Sequence, residues 1–246
     1  MNIINFSGGR TSAYMAKRLI DEGLKDYLVT FQNTGKEMPE TLDFINECDI
    51  KWGLNIVWLE YRQPAYFEIV NYKTASRTGR PFTELLNQRP SGIPNQYFRF
   101  CTMELKINTL KRYLKSIGIT EHINYNGIRY DEPHRWSKAH DNTELPLVKW
   151  KVTKKEVLQF WDSQSFNLQL KDPYGNCDCC FLKGKGKLMK IAKEKPELLD
   201  YWINIEKNSG RTFKKDISYT QILSISKNQI DMFLDDPGFD CFCNID

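Results

Sequence analysis

A doubly wound α/β fold with a parallel sheet is the architecture this sequence predicts. Three observations predict it. The first 22 residues read strand, glycine loop, helix; short apolar strands then alternate with helices through residue 59; and a later strand ends in Gly127-Ile128-Arg129. A β-loop-α-β-α-β order closes only with parallel strands and right-handed crossovers.

The elements follow in chain order. Ile3–Phe6 is a short buried strand, Ser7–Arg10 a tight loop and Thr11–Glu22 a helix, with Ala13, Ala16, Leu19 and Ile20 at helical spacing and Gly23 as its stop. Tyr27–Phe31 is the second strand. Pro39–Trp52 is the second helix, since Pro39 suits a first turn and Gly53 an end. Asn55–Leu59 is the third strand. Residues 62–100 are broken by Gly79, Pro81, Pro90, Gly92 and Pro94 and read as a mobile excursion over the site. Glu104–Ser116 returns to helix and His122–Ile128 to strand. Thr153–Trp161 is a helix opened by Thr153 with Glu156 three residues on, a capping box. Gly184–Lys193 and Glu197–Asn208 are further helices. The expected division is residues 1–165 as the sheet domain and residues 166–246 as a helical, cysteine-containing region packed on it.

Composition narrows the function classes. The chain has 246 residues, 41% hydrophobic and 27% charged, which is ordinary for a globular protein able to bury a core without disulfides or metals. Its net charge of +4 suits an anionic ligand and is too small to argue for nucleic acid by itself. No apolar run approaches the roughly 18 residues of a membrane span, and no leader is read at Met1–Phe6, so a cytoplasmic protein is expected. Of seven cysteines, five fall late, at Cys177, Cys179, Cys180, Cys241 and Cys243; in a reducing compartment such clustering favours metal or redox chemistry over disulfides. Cys48 falls on the apolar side of the second helix and reads as core packing, as do Trp150 and Trp161.

The first chemistry-bearing motif is Ser7-Gly8-Gly9-Arg10-Thr11-Ser12, between strand and helix. Glycines without Cβ atoms let backbone N–H groups converge on an anion, the helix N-terminus adds partial positive charge, and Ser7, Thr11 and Ser12 add hydroxyls. The bland alternative is a glycine turn with a hydroxyl cap. The Gly-Lys-Ser/Thr ending of a Walker A loop is missing.

Four further segments join it in order: Asn33-Thr34-Gly35 with Pro39-Glu40-Thr41; Cys101-Thr102 with Leu105-Lys106; Gly127-Ile128-Arg129 with Asp131, Glu132 and Arg135; and Pro146-Leu147, Trp150, Thr153 and Val157. Together with the loop they resemble the phosphoadenosine-phosphosulfate (PAPS) reductase-like proteins of the adenine-nucleotide α-hydrolase (PP-loop) superfamily, over roughly residues 1–185. The resemblance implies an adenine-nucleotide α-hydrolase-like sheet and an enzyme binding ATP or a related adenylate. It implies that Ser7, Gly8, Gly9, Arg10, Thr11 and Ser12 hold phosphate and that Asn33, Thr34, Gly35 and Gly127 lie near the nucleotide. Arg129 would face a phosphate or sulfate through its planar fork, and Lys106 would do so as a point charge; a salt bridge to Asp131 or Glu132 is the bland reading of Arg129. The sequence departs from ATP-cleaving members in having Thr11 where they carry Asp, which puts ATP cleavage in doubt; Glu37, Glu40, Asp131 and Glu132 are the other acidic residues available to support magnesium.

Cys101, Cys177 and Cys180, with a fourth thiol from Cys179, Cys241 or Cys243, would suit a [4Fe–4S] cluster or tetrahedral zinc. Of these, a tail cysteine, Cys243, is the favoured fourth ligand. Reduced thiols without metal are the third alternative. The spacing resembles iron–sulfur members of the family, which carry Cys-Cys where this chain has Phe100-Cys101. PAPS reductases attack the sulfate sulfur with a cysteine near the C-terminus in Glu-Cys-Gly-Leu/Ile-His. Here the tail reads Asp240-Cys241-Phe242-Cys243-Asn244, which matches in position but not in motif, and Lys183 or Lys185 are the cations available to lower a thiol pKa. The tract Lys183-Gly184-Lys185-Gly186-Lys187, with Lys190 and Lys193, reads either as a solvated helix start or as a grip on a phosphate-rich partner such as DNA or tRNA. His134, near Arg129, is a weaker ligand candidate; His122 and His140 have no metal spacing.

Three functions follow as expectations: an enzyme acting at or near the α-phosphate of an adenylate and coupled to sulfur chemistry, a thiol-dependent PAPS or adenylyl-sulfate reductase, or a metal-stabilised nucleotide-binding regulator. The partners implied are the nucleotide, with a nucleic-acid substrate or a redox or sulfur-donor protein beside it, and no membrane.

Overall fold

The computed structural model describes residues 1–89, 92–136 and 142–228. Cys241, Cys243 and His140 lie outside the described residues.

Six strands form one sheet in the order β4-β3-β2-β1-β5-β6. They are β1 (Asn2–Asn5), β2 (Tyr27–Asn33), β3 (Val57–Glu60), β4 (Glu68–Val70), β5 (Ile123–Asn126) and β6 (Thr143–Glu144). All neighbours run parallel except β4, which lies antiparallel on β3. Ile4 pairs with Val29 on one side and Tyr125 on the other. The chain therefore winds outward from β1 through β2 and β3, then returns to place β5 on the opposite side of β1. The strand order reverses there, and the crevice above the carboxyl ends of β1 and β5 is the place where such sheets receive ligands.

Strand residues alternate between two faces with period two. Ile4, Phe6, Val29, Phe31 and Trp58 pack against α1 (Arg10–Asp21), α2 (Pro39–Trp52) and the segment that follows β6. Ile3 and Leu59 face the other way, onto Leu110, Tyr113 and Leu114 of α5 (Thr109–Ser116). Cys48 is fully buried in the first of these cores, and burial pushes its thiol well above the ordinary value, as a packing residue requires.

Residues 62–100 depart from the expected excursion. They contain β4 and a helix, α3 (Arg80–Asn87), whose Phe82 and Leu85 are buried. Gly79 and Pro81, read from sequence as breakers, are the left-handed cap (φ 84°) and the first turn of that helix; the same punctuation that ends one element starts another. A single turn, α4 (Phe100–Thr102), leads through a π-helical stretch, Met103–Asn108, into α5.

Two short helices, α6 (Pro133–Trp136) and α7 (Pro146–Lys149), flank β6. α8 (Lys154–Asp162) opens with the expected capping box, Thr153 N donating to Glu156 Oε2 at 2.7 Å. Its Trp161 packs on Phe44, Trp52 and Phe166 at 4.9–5.5 Å between ring centres. The C-terminal region supplies α9 (Lys185–Glu194), α10 (Asp200–Ser209) and α11 (Tyr219–Asn228), the last not foreseen. They bury Leu188, Trp202, Phe213 and Tyr219 in a second core shared with Tyr61, Phe82, Leu85 and Leu105. Among the described residues no helix is long and apolar enough to cross a membrane.

Candidate nucleotide site and cysteine pocket

The loop after β1 is shaped by a left-handed glycine and by hydrogen bonds within the turn. Gly8 has φ 84°, and a Cβ there would lie 2.6 Å from Thr41 Cγ2 and 3.1 Å from Ile45 Cδ1. Only glycine fits both the backbone and the space. Gly9 caps α1, and no side chain occupies the cap hydrogen bonds. Ser12 Oγ accepts from Ser7 N at 3.1 Å and donates to Gly9 O at 3.0 Å, fixing the turn from within. Trp161 Nε1 donates to Arg10 O at 3.0 Å, anchoring the loop to the helix layer. The Arg10 side chain turns away: Nε reaches Asn167 Oδ1 at 2.7 Å and Nη2 the Leu168 carbonyl at 2.5 Å, and burial lowers its pKa. Arg10 contributes backbone to the loop and its guanidinium to the wall behind.

β5 delivers the second half of the site. A Cβ on Gly127 would lie 3.0 Å from Ser12 Cα, so this glycine lets the β5 loop lie directly against the start of α1. Two residues on, Arg129 is buried, with Nη1 3.4 Å from Thr11 Oγ1. Asp131 Oδ1 accepts from its Nε at 2.9 Å, Glu132 Oε2 from its backbone N at 3.0 Å, and its carbonyl accepts from Trp136 Nε1 at 2.8 Å. Burial pushes the Asp131 carboxyl up, but the Lys154 amide and the Arg129 guanidinium outweigh it, and the net shift is downward. Asp131 and Glu132 thus aim Arg129; Glu132 also pairs with Arg135. The salt-bridge reading of Arg129 describes its pairing with Asp131 and Glu132, and such carboxylates fix the direction of a buried guanidinium.

The loop after β2 is built differently. Asn33 is fully buried and donates to Glu60 Oε1 at 2.6 Å and to Ser76 O at 2.9 Å, while accepting from Gly35 N at 3.1 Å. Thr34 donates through N and Oγ1 to Glu37, at 2.9 Å in each case. Asn33 therefore shapes the loop rather than presenting its amide to the crevice.

Thr34, Cys101, Lys106, Cys177 and Cys180 line one cavity of about 30 Å³, with Lys36 and Trp202. That is room for a water or two, too little for a nucleotide. Cys101 and Lys106 reach the cavity from α4 and the π-helical stretch, a distortion common at functional positions. Cys177 and Cys180 come from a segment stitched to the β2 loop. Met38 N donates to Asn176 O at 2.7 Å, Asp178 N to Lys36 O at 2.8 Å, and Cys177 forms an antiparallel bridge with Glu37. Asp178 anchors it, with Oδ2 2.7 Å from Lys36 Nζ and Oδ1 accepting from Trp202 Nε1 at 2.9 Å. Cys179, one of the alternatives for the fourth thiol, is buried with its thiol raised by burial, and packs in the second core.

Asn176 joins the two halves: its Nδ2 donates to Ser7 O at 2.8 Å. Sequence reading missed it, along with Glu60 and Asp178; the available signal was their place beside Cys177 or at a strand end. Among the described residues no three His, Cys, Asp or Glu side chains are arranged to hold a metal ion. Cys101, Cys177 and Cys180 line the same cavity, and Cys243, the fourth ligand expected for a cluster or zinc, lies outside the described residues.

The phosphoadenosine phosphosulfate reductase domain model matches residues 1–160, well over half of the chain. The chain belongs to that family. As a PAPS reductase-like member of the PP-loop superfamily, it is 29% identical over 210 residues to the uncharacterized nin region protein ORF290 of Escherichia phage lambda, covering 80% of this chain and 71% of that one. An uncharacterized protein of Methanocaldococcus jannaschii is 24% identical over 217 residues, 84% of this PAPS reductase-like chain but 47% of its own length. A crystal structure of PAPS reductase from Candida auris, a phosphate complex, aligns with a TM-score of 0.38 and 11% identity over 68% of this chain and 81% of that one.

Proposed function

We propose that this chain is an enzyme that binds ATP or a related adenylate across the β1–β5 crevice and acts at or near its α-phosphate, with the neighbouring thiols serving sulfur chemistry. The observation that carries the reading is the meeting of Arg129 with the start of α1. A buried guanidinium stands 3.4 Å from Thr11 Oγ1, beside a glycine turn that has no space for a side chain. The amino end of α1, an aimed guanidinium and the loop hydroxyls make a receptor for an anion. Adenine would extend toward the Asn33–Gly35 loop. Residues 1–165 would carry the nucleotide and residues 166–246 would bring Cys177 and Cys180 against it.

At the reacting centre, these groups would bind and orient. The loop amides take the charge that develops on the departing phosphate, and Arg129 holds the phosphate or sulfate beside it. Thr11 contributes a neutral hydroxyl, so magnesium would need another carboxylate; Asp131 and Glu132 are paired with Arg129 and Arg135, Glu37 accepts from Thr34, and Glu40 stands 4.0 Å from Lys195.

A second reading, thiol-dependent reduction of PAPS or adenylyl sulfate, is favoured by the cavity shared by Cys101, Cys177, Cys180 and Lys106. Calorimetric titration with ATP, AMP and PAPS, followed by assays for AMP and for sulfite, separates the two. Arg129→Lys keeps the charge but loses the fork, and should weaken binding of the preferred nucleotide roughly tenfold, measured at a temperature where both proteins remain folded. Unchanged affinity in that variant, or no binding of any of the three ligands by the wild type, would remove the proposal.

A further inference from the structure

Tyr97 and Phe98 are 80% and 62% exposed, more than any other large aromatic side chain among the described residues. They are not on a loose loop. Asn95 Oδ1 accepts from Tyr97 N at 2.9 Å and from Phe98 N at 3.0 Å, and Asn95 N donates to Phe98 O at 3.2 Å. This closed Asx turn holds both rings out in water at low conformational cost to a partner.

Behind the turn runs a row of alternating rings and guanidinium groups. Phe98 packs on Phe100 at 5.7 Å, and Arg89 lies over Phe100 at 5.0 Å. Arg89 and Arg112 share one carboxylate, Glu104, at 3.1 Å each. Arg112 lies over Tyr66 at 4.7 Å. Two guanidinium groups on one carboxylate leave a positive excess, and the wider segment agrees. Residues 62–116 contain ten Lys or Arg and three Asp or Glu, a net +7 against +4 for the whole chain. The Lys183–Lys187 tract, by contrast, has Lys185 and Lys187 in ion pairs with Asp216 and Asp172.

Presented rings set in a cationic row are the combination that binds single-stranded nucleic acid. Unpaired bases stack on the rings without regard to sequence, and cations follow the phosphates. Duplex bases are already stacked and offer the rings nothing. An apolar protein partner would have no use for the guanidinium excess. We propose that this face binds single-stranded nucleic acid, with bases on Tyr97 and Phe98 and backbone along Arg89 and Arg112. The tip leads within a few residues to Cys101 and Lys106, so a bound strand would pass the mouth of the cysteine cavity. The proposal stands independently of the nucleotide reading.

Fluorescence anisotropy of the full chain with labelled single strands of about ten nucleotides, one of DNA and one of RNA, tests it at low and moderate salt. Expected are salt-dependent binding of at least one strand, weak competition by duplex, a loss of roughly tenfold or more in Tyr97→Ala/Phe98→Ala, and no comparable loss in Lys185→Gln/Lys187→Gln. Because both rings are solvent-exposed, the double alanine variant should melt as the wild type does. Absence of binding to either strand at low salt overturns the proposal. So does full affinity in the double alanine variant, or sedimentation showing that the rings instead join two copies of this chain.

Discussion

The glycine loop and the cysteine cavity sit at neighbouring edges of the same crevice but are assembled in opposite ways. The loop takes its shape from six consecutive residues, fixed by a left-handed glycine and by hydrogen bonds that Ser12 makes inside the turn. The cavity takes Cys101 from a distorted helix and Cys177 and Cys180 from a distant segment, and that segment is held by backbone bonds to the β2 loop and by the side chain of Asp178, which meets Lys36 and the Trp202 indole. A locally encoded site should survive damage to the distant packing. A site assembled from afar should fail as a unit when its anchor is lost.

Asp178 is that anchor, and its replacement is the most severe break of the cavity. Asp178→Ala leaves Lys36 buried without its carboxylate and the Trp202 indole without its acceptor. Stranding one member of a buried ion pair costs about 3–5 kcal/mol. Chemical denaturation should register a loss of that order, and alkylation of Cys177 and Cys180 should accelerate. The loop, stitched from within, should keep its anion affinity at temperatures where the variant is still folded. A loss below 1 kcal/mol, or equal loss of cavity and loop function, would erase the distinction.

The loop has a matching test of smaller size. Gly8→Ala forces a Cβ into Thr41 and Ile45 at a positive φ, whereas Gly23 has φ 87° with nothing within 4 Å of its would-be Cβ. Backbone strain is common to both; the clash belongs to Gly8 alone. Gly23→Ala should cost about 1 kcal/mol and leave ligand affinity alone. Gly8→Ala should cost about 2–3 kcal/mol and abolish measurable nucleotide binding by calorimetry. Equal melting temperatures for the two variants would show that the space around Gly8 is softer than the contacts imply.

The same contrast explains what could be read from sequence. Ser7–Ser12, the strands β1 to β3 and the capping box at Thr153 are governed by neighbours within a few positions, and the structure has them where local chemistry puts them. α3 was missed because Gly79 and Pro81 have the same letters whether they end an element or begin one. α11 was missed although its start carries a capping box, with Ser218 N donating to Gln221 Oε1 at 2.8 Å and Gln221 N to Ser218 Oγ at 3.2 Å. The gathering of Cys101 with Cys177 and Cys180 in one cavity agrees with grouping them as one constellation, yet their arrangement rests on Asp178, Lys36 and Trp202. No spacing rule connects those residues; only the tertiary fold does. Asn176 is the extreme case, a single amide whose meaning comes from the Ser7 carbonyl that it meets.

The mildest test falls between the two regions, at the loop after β2. Glu60 is fully buried at the end of β3, where Oε1 accepts from Asn33 Nδ2 and Ser76 N, both at 2.6 Å, and Oε2 has no hydrogen-bond partner. Burial raises its pKa above the ordinary carboxylate value, against the pull of those two donors and of Arg62. The folded chain therefore keeps this proton to higher pH than the unfolded chain does. Its contribution to stability is complete below the ordinary carboxylate range and drains away as pH rises through the raised folded value. Glu60→Gln keeps the Oε1 acceptor and removes the titration. The variant should match the wild type near pH ~4 and exceed it by roughly 1 kcal/mol at neutral pH, giving a flatter profile of denaturation midpoint against pH. If the variant is instead less stable at neutral pH, the carboxylate is held by Arg62 and Arg80 more firmly than its burial opposes it. The β2 loop would then be anchored by charge, like the cysteine segment, rather than by hydrogen bonds, like the glycine turn.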